Sequence, residues 1–214
     1  ILGFDVKEEN VHVVINTIND IEFSQRLSVC RKSNIKVPNL LFVGDLKNEK
    51  GIDLLLKSIK IVNEKFTGYT LTVVGDGYLK ENLLQYKEEN RLTNVYFAGK
   101  VDFDEIAQYY KDASAFILPS VTEPFGLVLV EAAIAGLPLL ASEYAGGAYD
   151  LVKDGENGYK INPYNLSETS ERILNLLKST DEMNRMGLES TRIIKNEVNL
   201  KSASESFANA IEKY

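Results

Sequence analysis

Two glutamates set in one apolar stretch are the residues here whose spacing could do chemistry. Glu123 and Glu131 bracket Pro124-Phe125-Gly126-Leu127-Val128-Leu129-Val130, and from Leu127 to Ala135 every residue except Glu131 is apolar. A helix apolar on all sides is buried in its domain. A carboxylate in it is costly unless it finds hydrogen-bond donors. Two readings fit. Glu131 pairs with a backbone or basic group inside the protein, or it faces a cleft and accepts from two ligand hydroxyls, a task that suits the vicinal diol of a ribose. Pro124 biases Glu123 towards extended backbone, and Gly126 permits close approach. The N–H groups of Phe125, Gly126 and Leu127 then sit at a helix N-terminus, where backbone donors and the helix dipole favour an anion. Carboxylates for hydroxyls beside amides for phosphate match the groups of a nucleoside diphosphate sugar.

The elements that must position these groups are legible in the pattern. From residue 39 onward, apolar runs alternate with helical stretches: Leu40-Leu41-Phe42-Val43, Leu71-Thr72-Val73-Val74, Val95-Tyr96-Phe97-Ala98, Ala115-Phe116-Ile117-Leu118 and Leu137-Pro138-Leu139-Leu140-Ala141. Each run is too short for a buried helix and is bounded by Gly, Pro, Asn or Asp. Apolar residues at successive positions mark strands buried on both faces of a parallel sheet, and Pro138 suits the first residue of its strand. Ile52, Leu55, Leu56, Ile59 and Val62 recur at helical steps, and 79–90, 103–111 and 126–135 read as further helices. Five such repeats predict the α/β fold class, a doubly wound, Rossmann-like parallel sheet with ligands outside the carboxyl ends of its strands. Glu123 falls in the loop after the fourth strand. Residues 39–165 form the predicted core. Residues 166–214 form C-terminal helices, marked by Ile173, Leu174, Leu176 and Leu177 and then by Phe207, Ala208 and Ile211. Residues 1–38 form a junction segment in which Val11, Val13, Val14 and Ile15 suggest one strand.

Glu123 and Glu131 with Pro-Phe-Gly after the first resemble the Glu-x7-Glu signature of retaining glycosyltransferases of the two-domain GT-B fold, in the glycogen-synthase-like and sucrose-synthase-like group. Val43-Gly44-Asp45-Leu46-Lys47-Asn48-Glu49-Lys50-Gly51 looks like that family's Gly-Arg-Leu-x-x-Glu-Lys-Gly loop. Lys50 stands at the position of the lysine that binds the donor diphosphate. Asp45 departs from the pattern, standing where arginine is usual. Either Lys47 compensates, or Asp45 turns away or holds Lys50, or the protein is a weakened or non-catalytic relative. Val74-Gly75-Asp76-Gly77 resembles the family's Val-Gly-x-Gly loop, and the segment 95–101 the one whose backbone meets the nucleobase, at Lys100 and Val101. Gly146-Gly147-Ala148-Tyr149-Asp150 matches a Gly-Gly-x-x-Glu turn in part, Asp154-Gly155-Glu156-Asn157-Gly158 resembles an Asp-Gly-x-x-Gly turn, and residues 11–19 resemble the strand and turn after the domain junction.

The resemblance implies hexosyl transfer, with retention, from a nucleoside diphosphate sugar to an acceptor glycan or lipid, with no metal and no cofactor besides the donor. Lys50 and Glu123 carry the catalytic roles, Lys50 at the leaving diphosphate and Glu123 at the donor sugar hydroxyls. Glu131 holds the ribose diol. Phe125, Gly126, Leu127, Gly44, Asp45, Lys100 and Val101 line the donor site. The chain then reads as one C-terminal donor-binding domain, 1–214, whose N-terminal acceptor domain is absent, whose last helix crosses back to that domain, and which is inactive alone. A non-catalytic sugar-nucleotide-binding module or one subunit of a split transferase is the alternative. An epimerase is disfavoured by the single histidine, and a regulatory domain without a sugar ligand leaves the Glu123–Glu131 segment unexplained.

Composition narrows the partners. The 214 residues are 44% apolar and 26% charged, ordinary for a globular protein, with no apolar run long enough to span a membrane. A net charge of -7 argues against nucleic acid as the main partner. His12 and Cys30 are the only residues of their types, too few for a zinc cluster or an internal disulfide, and both read as ordinary packing or surface. Cysteine usage favours a reducing compartment. The expected location is cytoplasmic, with contact to the inner face of a membrane left to the missing half. Ile1-Leu2-Gly3-Phe4-Asp5 does not read as a signal peptide, and the lack of an initial Met suggests a fragment or a processed chain.

Overall fold

The computed structural model describes residues 14–31, 33 and 37–212. Six strands, β1 (Asn39–Val43), β2 (Thr70–Val74), β3 (Val95–Gly99), β4 (Ala115–Leu118), β5 (Leu139–Ser142) and β6 (Gly158–Ile161), form one sheet in the order β3-β2-β1-β4-β5-β6. Every pairing is parallel. Helices α1 (Asp20–Val29), α2 (Ile52–Asn63), α3 (Lys80–Glu89), α4 (Ile106–Asp112), α5 (Leu127–Ile134), α6 (Gly147–Leu151), α7 (Leu166–Leu177), α8 (Thr180–Asn196) and α9 (Leu200–Glu212) accompany it. The chain winds outward from β1 to β3, then returns to lay β4 on the other flank of β1. That reversal between β1 and β4 is the switch point at which open α/β sheets hold ligands.

Successive residues of the central strands serve opposite faces. Leu41, Phe116 and Leu118 pack with Phe23 of α1, Tyr110 of α4 and Leu129, Val130 and Ala133 of α5. Leu40, Phe42 and Ile117 pack with Leu55, Leu56 and Ile59 of α2 and with Ile173 and Leu177 of α7. All of the β1 and β4 residues named here are fully buried, and each such side chain contributes roughly 1.5–3 kcal/mol by leaving water.

The predicted doubly wound α/β sheet is present, with three differences. A sixth strand follows the Asp154–Gly158 turn and was not expected. Gly158-Tyr159-Lys160-Ile161 has only Gly158 and Ile161 buried, so it lacks the apolar run that marked the others. Its Gly158 lies so close to β5 that an added Cβ would stand 1.9 Å from the Leu139 carbonyl oxygen. Pro138 precedes β5 rather than opening it. β3 is an edge strand with Tyr96 exposed, so its run is not buried on both faces. The strand expected at Val11–Ile15 lies outside the described residues over 11–13, while Val14 and Ile15 have no regular structure. Among the described residues no helix is long and apolar enough to cross a membrane.

Phe42→Ala empties the middle of β1 and should destabilise the domain by about 3–5 kcal/mol. Urea unfolding monitored by circular dichroism would show this as a lowered midpoint; an unchanged midpoint would mean that β1 is not central to the core.

Candidate functional site

The carboxyl-end loops of β1 and β4 are stitched together by backbone. The Glu49 carbonyl accepts from the N–H of Val121 at 2.8 Å and of Thr122 at 3.3 Å. Residues Asn48–Lys50 make a single 3-10 turn, which Gly51 ends in the left-handed region at φ 62°. This turn lifts Lys50 against the neighbouring loop, where its ammonium forms an ion pair with the Glu123 carboxylate. Glu123 is held from the other side as well. Its N–H donates to the Tyr144 carbonyl at 3.3 Å, its carbonyl accepts from Gly146 N–H at 3.0 Å, and the Phe125 carbonyl accepts from Gly147 N–H at 2.9 Å. A Cβ on Gly146 would lie 2.2 Å from the Pro124 carbonyl oxygen. The paired glycines are therefore a backbone clamp on the Glu123 loop.

Gly126 caps α5 in the left-handed region, at φ 92°, and a Cβ there would press to 2.8 Å from Leu118 Cδ2. Only glycine fits comfortably. Among the described residues the N–H groups of Phe125, Gly126, Leu127 and Val128 have no acceptor. Such unpaired donors at a helix start favour anions.

Glu131, one turn into α5, neither ion-pairs among the described residues nor is sealed in the core. Its Oε2 accepts from the Tyr110 hydroxyl at 2.6 Å, and its side chain lines a cleft of about 580 Å³. Among the described residues Oε1 has no partner. Burial raises the Glu131 pKa, partly opposed by the Tyr110 hydrogen bond. The Tyr110 phenol is driven well above its usual value, by burial first and by the nearby carboxylate second. Both shifts follow from placing one charge in a low-dielectric setting with one donor.

The cleft brings together Gly44, Asp45, Lys100, Val101 and Glu131 of the sequence-predicted set. Lys50, Glu123, Phe125, Gly126 and Leu127 do not line it; they form the loop cluster at the adjoining ends of β1 and β4. Asp45 does not hold Lys50. Its carboxylate pairs with Lys47 at 2.8 Å, and that hydrogen bond is the main cause of its lowered pKa. Both partners are largely exposed, so the pair itself contributes little stability. Asp76 likewise pairs with Lys80 at 2.8 Å.

Sequence reasoning missed Tyr110, Val128, Ile106 and Phe103. Val128 could have been found, since it precedes Glu131 by three residues and shares its helix face. Phe103 is a lone aromatic between Asp102 and Asp104, with the Arg26 guanidinium 4.2 Å from its ring centre. Tyr110 had no local signal. A second cavity, of about 530 Å³, opens at the amino ends of β4 and β5 near Lys111, Ser114 and Asn184. It has none of the glycine loops and lies at the wrong end of a parallel sheet.

Residues 30–192 match the family described as "Glycosyl transferases group 1". A glycogen synthase of Mycobacterium tuberculosis is 31% identical over 160 residues, covering 74% of this chain and 38% of the relative. The crystal structure of a mutant S. aureus TarM in complex with Fondaparinux, alpha-GlcNAc-glycerol and UDP superposes with a TM-score of 0.80 at 22% identity, over 97% of this chain and 40% of that one. The C-terminal domain of a glycosyl transferase group 1 family protein (LpcC) from Francisella tularensis gives a TM-score of 0.70 at 19% identity, over 88% of this chain and 97% of that one. At these identities the two structures speak for the fold. The chain spans less than half the length of the curated relatives it matches.

Tyr110→Phe removes the one donor that Glu131 has among the described residues. It should cost about 1–3 kcal/mol at neutral pH and raise the Glu131 pKa further. The cost should shrink on acidification, because the protonated carboxyl no longer needs a donor for its charge. Chemical denaturation at pH 7 and pH 5 tests this; an equal cost at both would place Glu131 outside the account.

Proposed function

This chain belongs to the group 1 glycosyl transferases, and from that premise we propose that it is the donor-binding half of a retaining GT-B enzyme that transfers a hexosyl unit from a nucleoside diphosphate sugar. The observation that carries the reading is Glu131: a half-buried carboxylate with one oxygen tied to Tyr110, facing the cleft over the carboxyl ends of β1, β2 and β3. Its other oxygen and its negative charge suit a ribose diol. The base rests against the backbone at Lys100 and Val101, and Gly44 and Asp45 border the nucleotide. The diphosphate lies towards the open amides of Phe125, Gly126 and Leu127 and towards Lys50. Helix dipole and ammonium replace a metal as counter-charge for the leaving diphosphate. Glu123 holds hydroxyls of the donor sugar and orients its ring. The Lys50–Glu123 ion pair keeps both groups in place before the donor arrives, and donor binding divides it, the cation turning to phosphate and the carboxylate to hydroxyls.

The UDP in TarM and the glycogen synthase relative support a nucleotide-sugar donor. The short span of the chain relative to its relatives, and its near-complete coverage of the Francisella C-terminal domain, support an acceptor-binding domain supplied by protein beyond this segment. The chain alone then binds donor and transfers poorly. The acceptor is a glycan or a lipid, and a membrane face would be met through the other half. Asp45 in place of the usual arginine favours one second reading, a sugar-nucleotide-binding module without catalysis, because it puts an anion at the cleft wall that Lys47 only offsets.

Calorimetry with UDP, GDP and ADP should show one nucleotide bound. Glu131→Ala should weaken it about 10- to 100-fold, the scale of hydrogen bonds to a charged group, while affinity for the 2′,3′-dideoxy nucleotide hardly changes. Equal affinity in wild type and variant would remove the ribose assignment. In the protein completed by its acceptor domain, a gain of transfer in Asp45→Arg would favour the non-catalytic reading of the natural chain; loss or no change would disfavour it.

A further inference from the structure

Exposed aromatic rings gather at one place the donor reading does not use. Beyond the carboxyl ends of β5 and β6, Tyr144 is 43% and Tyr164 62% exposed. Their rings meet edge to face, with centroids 5.8 Å apart and planes at 70°. Asn162 organises the corner: its side-chain amide donates to the Tyr144 hydroxyl at 3.4 Å, and its side-chain oxygen accepts from Tyr164 N–H at 3.0 Å. The corner shares a backbone seam with the proposed catalytic loop, because Glu123 N–H donates to the Tyr144 carbonyl and Glu123 bridges Ala145 in parallel. Tyr149, exposed on α6, follows within the same segment.

We propose that Tyr144 and Tyr164 form a saccharide subsite. A pyranose presents an apolar face of C–H groups and a rim of hydroxyls. Tyrosine rings in a polar surround match both, since the ring covers the C–H face while hydroxyl and amide groups meet the rim. The polar group that holds the corner is Asn162, bonded to both tyrosines, and Glu143 and Asn165 flank the rings in sequence alongside Ala145 and Pro163, whereas interface cores are depleted of charge and filled with apolar groups. Because the Tyr144 backbone is bonded to that of Glu123, the sugar on the rings is assigned as a unit of the acceptor chain. Only the word acceptor rests on the transferase reading; saccharide binding stands on the rings alone.

The test is protein-observed NMR on the 214-residue chain, titrated with maltohexaose, chitotetraose and galactobiose at up to about 10 mM, the range of millimolar sites, with and without UDP. The expected result is saturable shifts at residues 144–149 and 162–165 from at least one sugar, not displaced by UDP. Tyr164→Ala should weaken that binding about three- to tenfold, the worth of one aromatic contact, and Tyr164→Phe should retain most of it. UDP shifts should be unchanged in both variants. Absence of shifts there with every sugar, or equal binding in Tyr164→Ala, would overturn the proposal. So would a concentration-dependent dimer lost in Tyr164→Ala, which would assign the rings to a second copy of the chain. Failure of every nucleotide to bind would instead count against the donor reading and leave the sugar titration to be judged separately.

Discussion

One phenol hydroxyl holds one carboxylate inside an apolar helix, and the arrangement of the cleft depends on that contact. Without Tyr110, Glu131 would be a charge in a low-dielectric wall with no donor, and its proton would be retained to higher pH. With Tyr110, half of the carboxylate is satisfied and half is open to the cleft. The asymmetry is what makes the residue suited to a ligand. A fully paired glutamate would be structural, and a fully exposed one would not be oriented. Tyr110 can serve because it is fully buried between Phe23 and Phe116, so its hydroxyl is fixed by the core, not by solvent.

The second constraint is backbone proximity at the switch point. The β1 and β4 loops share the Glu49 carbonyl, and the β5 loop grips the β4 loop through Gly146 and Gly147. Three loops from three strands therefore form one backbone-bonded unit, and Lys50 and Glu123 are placed by it. Placement through backbone is more exact than placement by long side chains, whose rotamers must be ordered at an entropic cost. Charge follows the same plan. Lys50 is engaged by Glu123, Lys47 by Asp45 and Lys80 by Asp76. Among the described residues the N–H groups at the start of α5 have no acceptor, which leaves them open to an anion, and Lys100 adds a cation on the cleft wall.

Much of this was readable in the residues. The buried strands β1, β4 and β5 announced themselves as continuous apolar runs, because a strand covered by helices on both faces needs apolar groups at successive positions, and β2 did so apart from the half-buried Thr72. β6 did not, since a four-residue edge strand with polar central residues has no period to detect. The Glu123–Glu131 segment stood out because a charge in an aliphatic helix is physically anomalous. What pairs with it was hidden: Tyr110 lies on another helix, 21 positions away, and only packing brings them together. The Lys50–Glu123 ion pair was hidden for the same reason, being 73 positions apart in sequence. The close backbone approach at Gly146 and Gly147 was also hidden, because it depends on which strands are neighbours.

The most direct test of the central claim follows the Glu131 carboxyl by carbon-detected NMR through a pH titration, in the UDP complex and in the complex with 2′,3′-dideoxy-UDP. Both nucleotides bring the same phosphates and the same desolvation, so the difference isolates the diol. Hydroxyls that donate to the carboxylate stabilise its charged form, and the account predicts a lower Glu131 pKa with UDP than with the dideoxy compound. The same pKa in both complexes would contradict it.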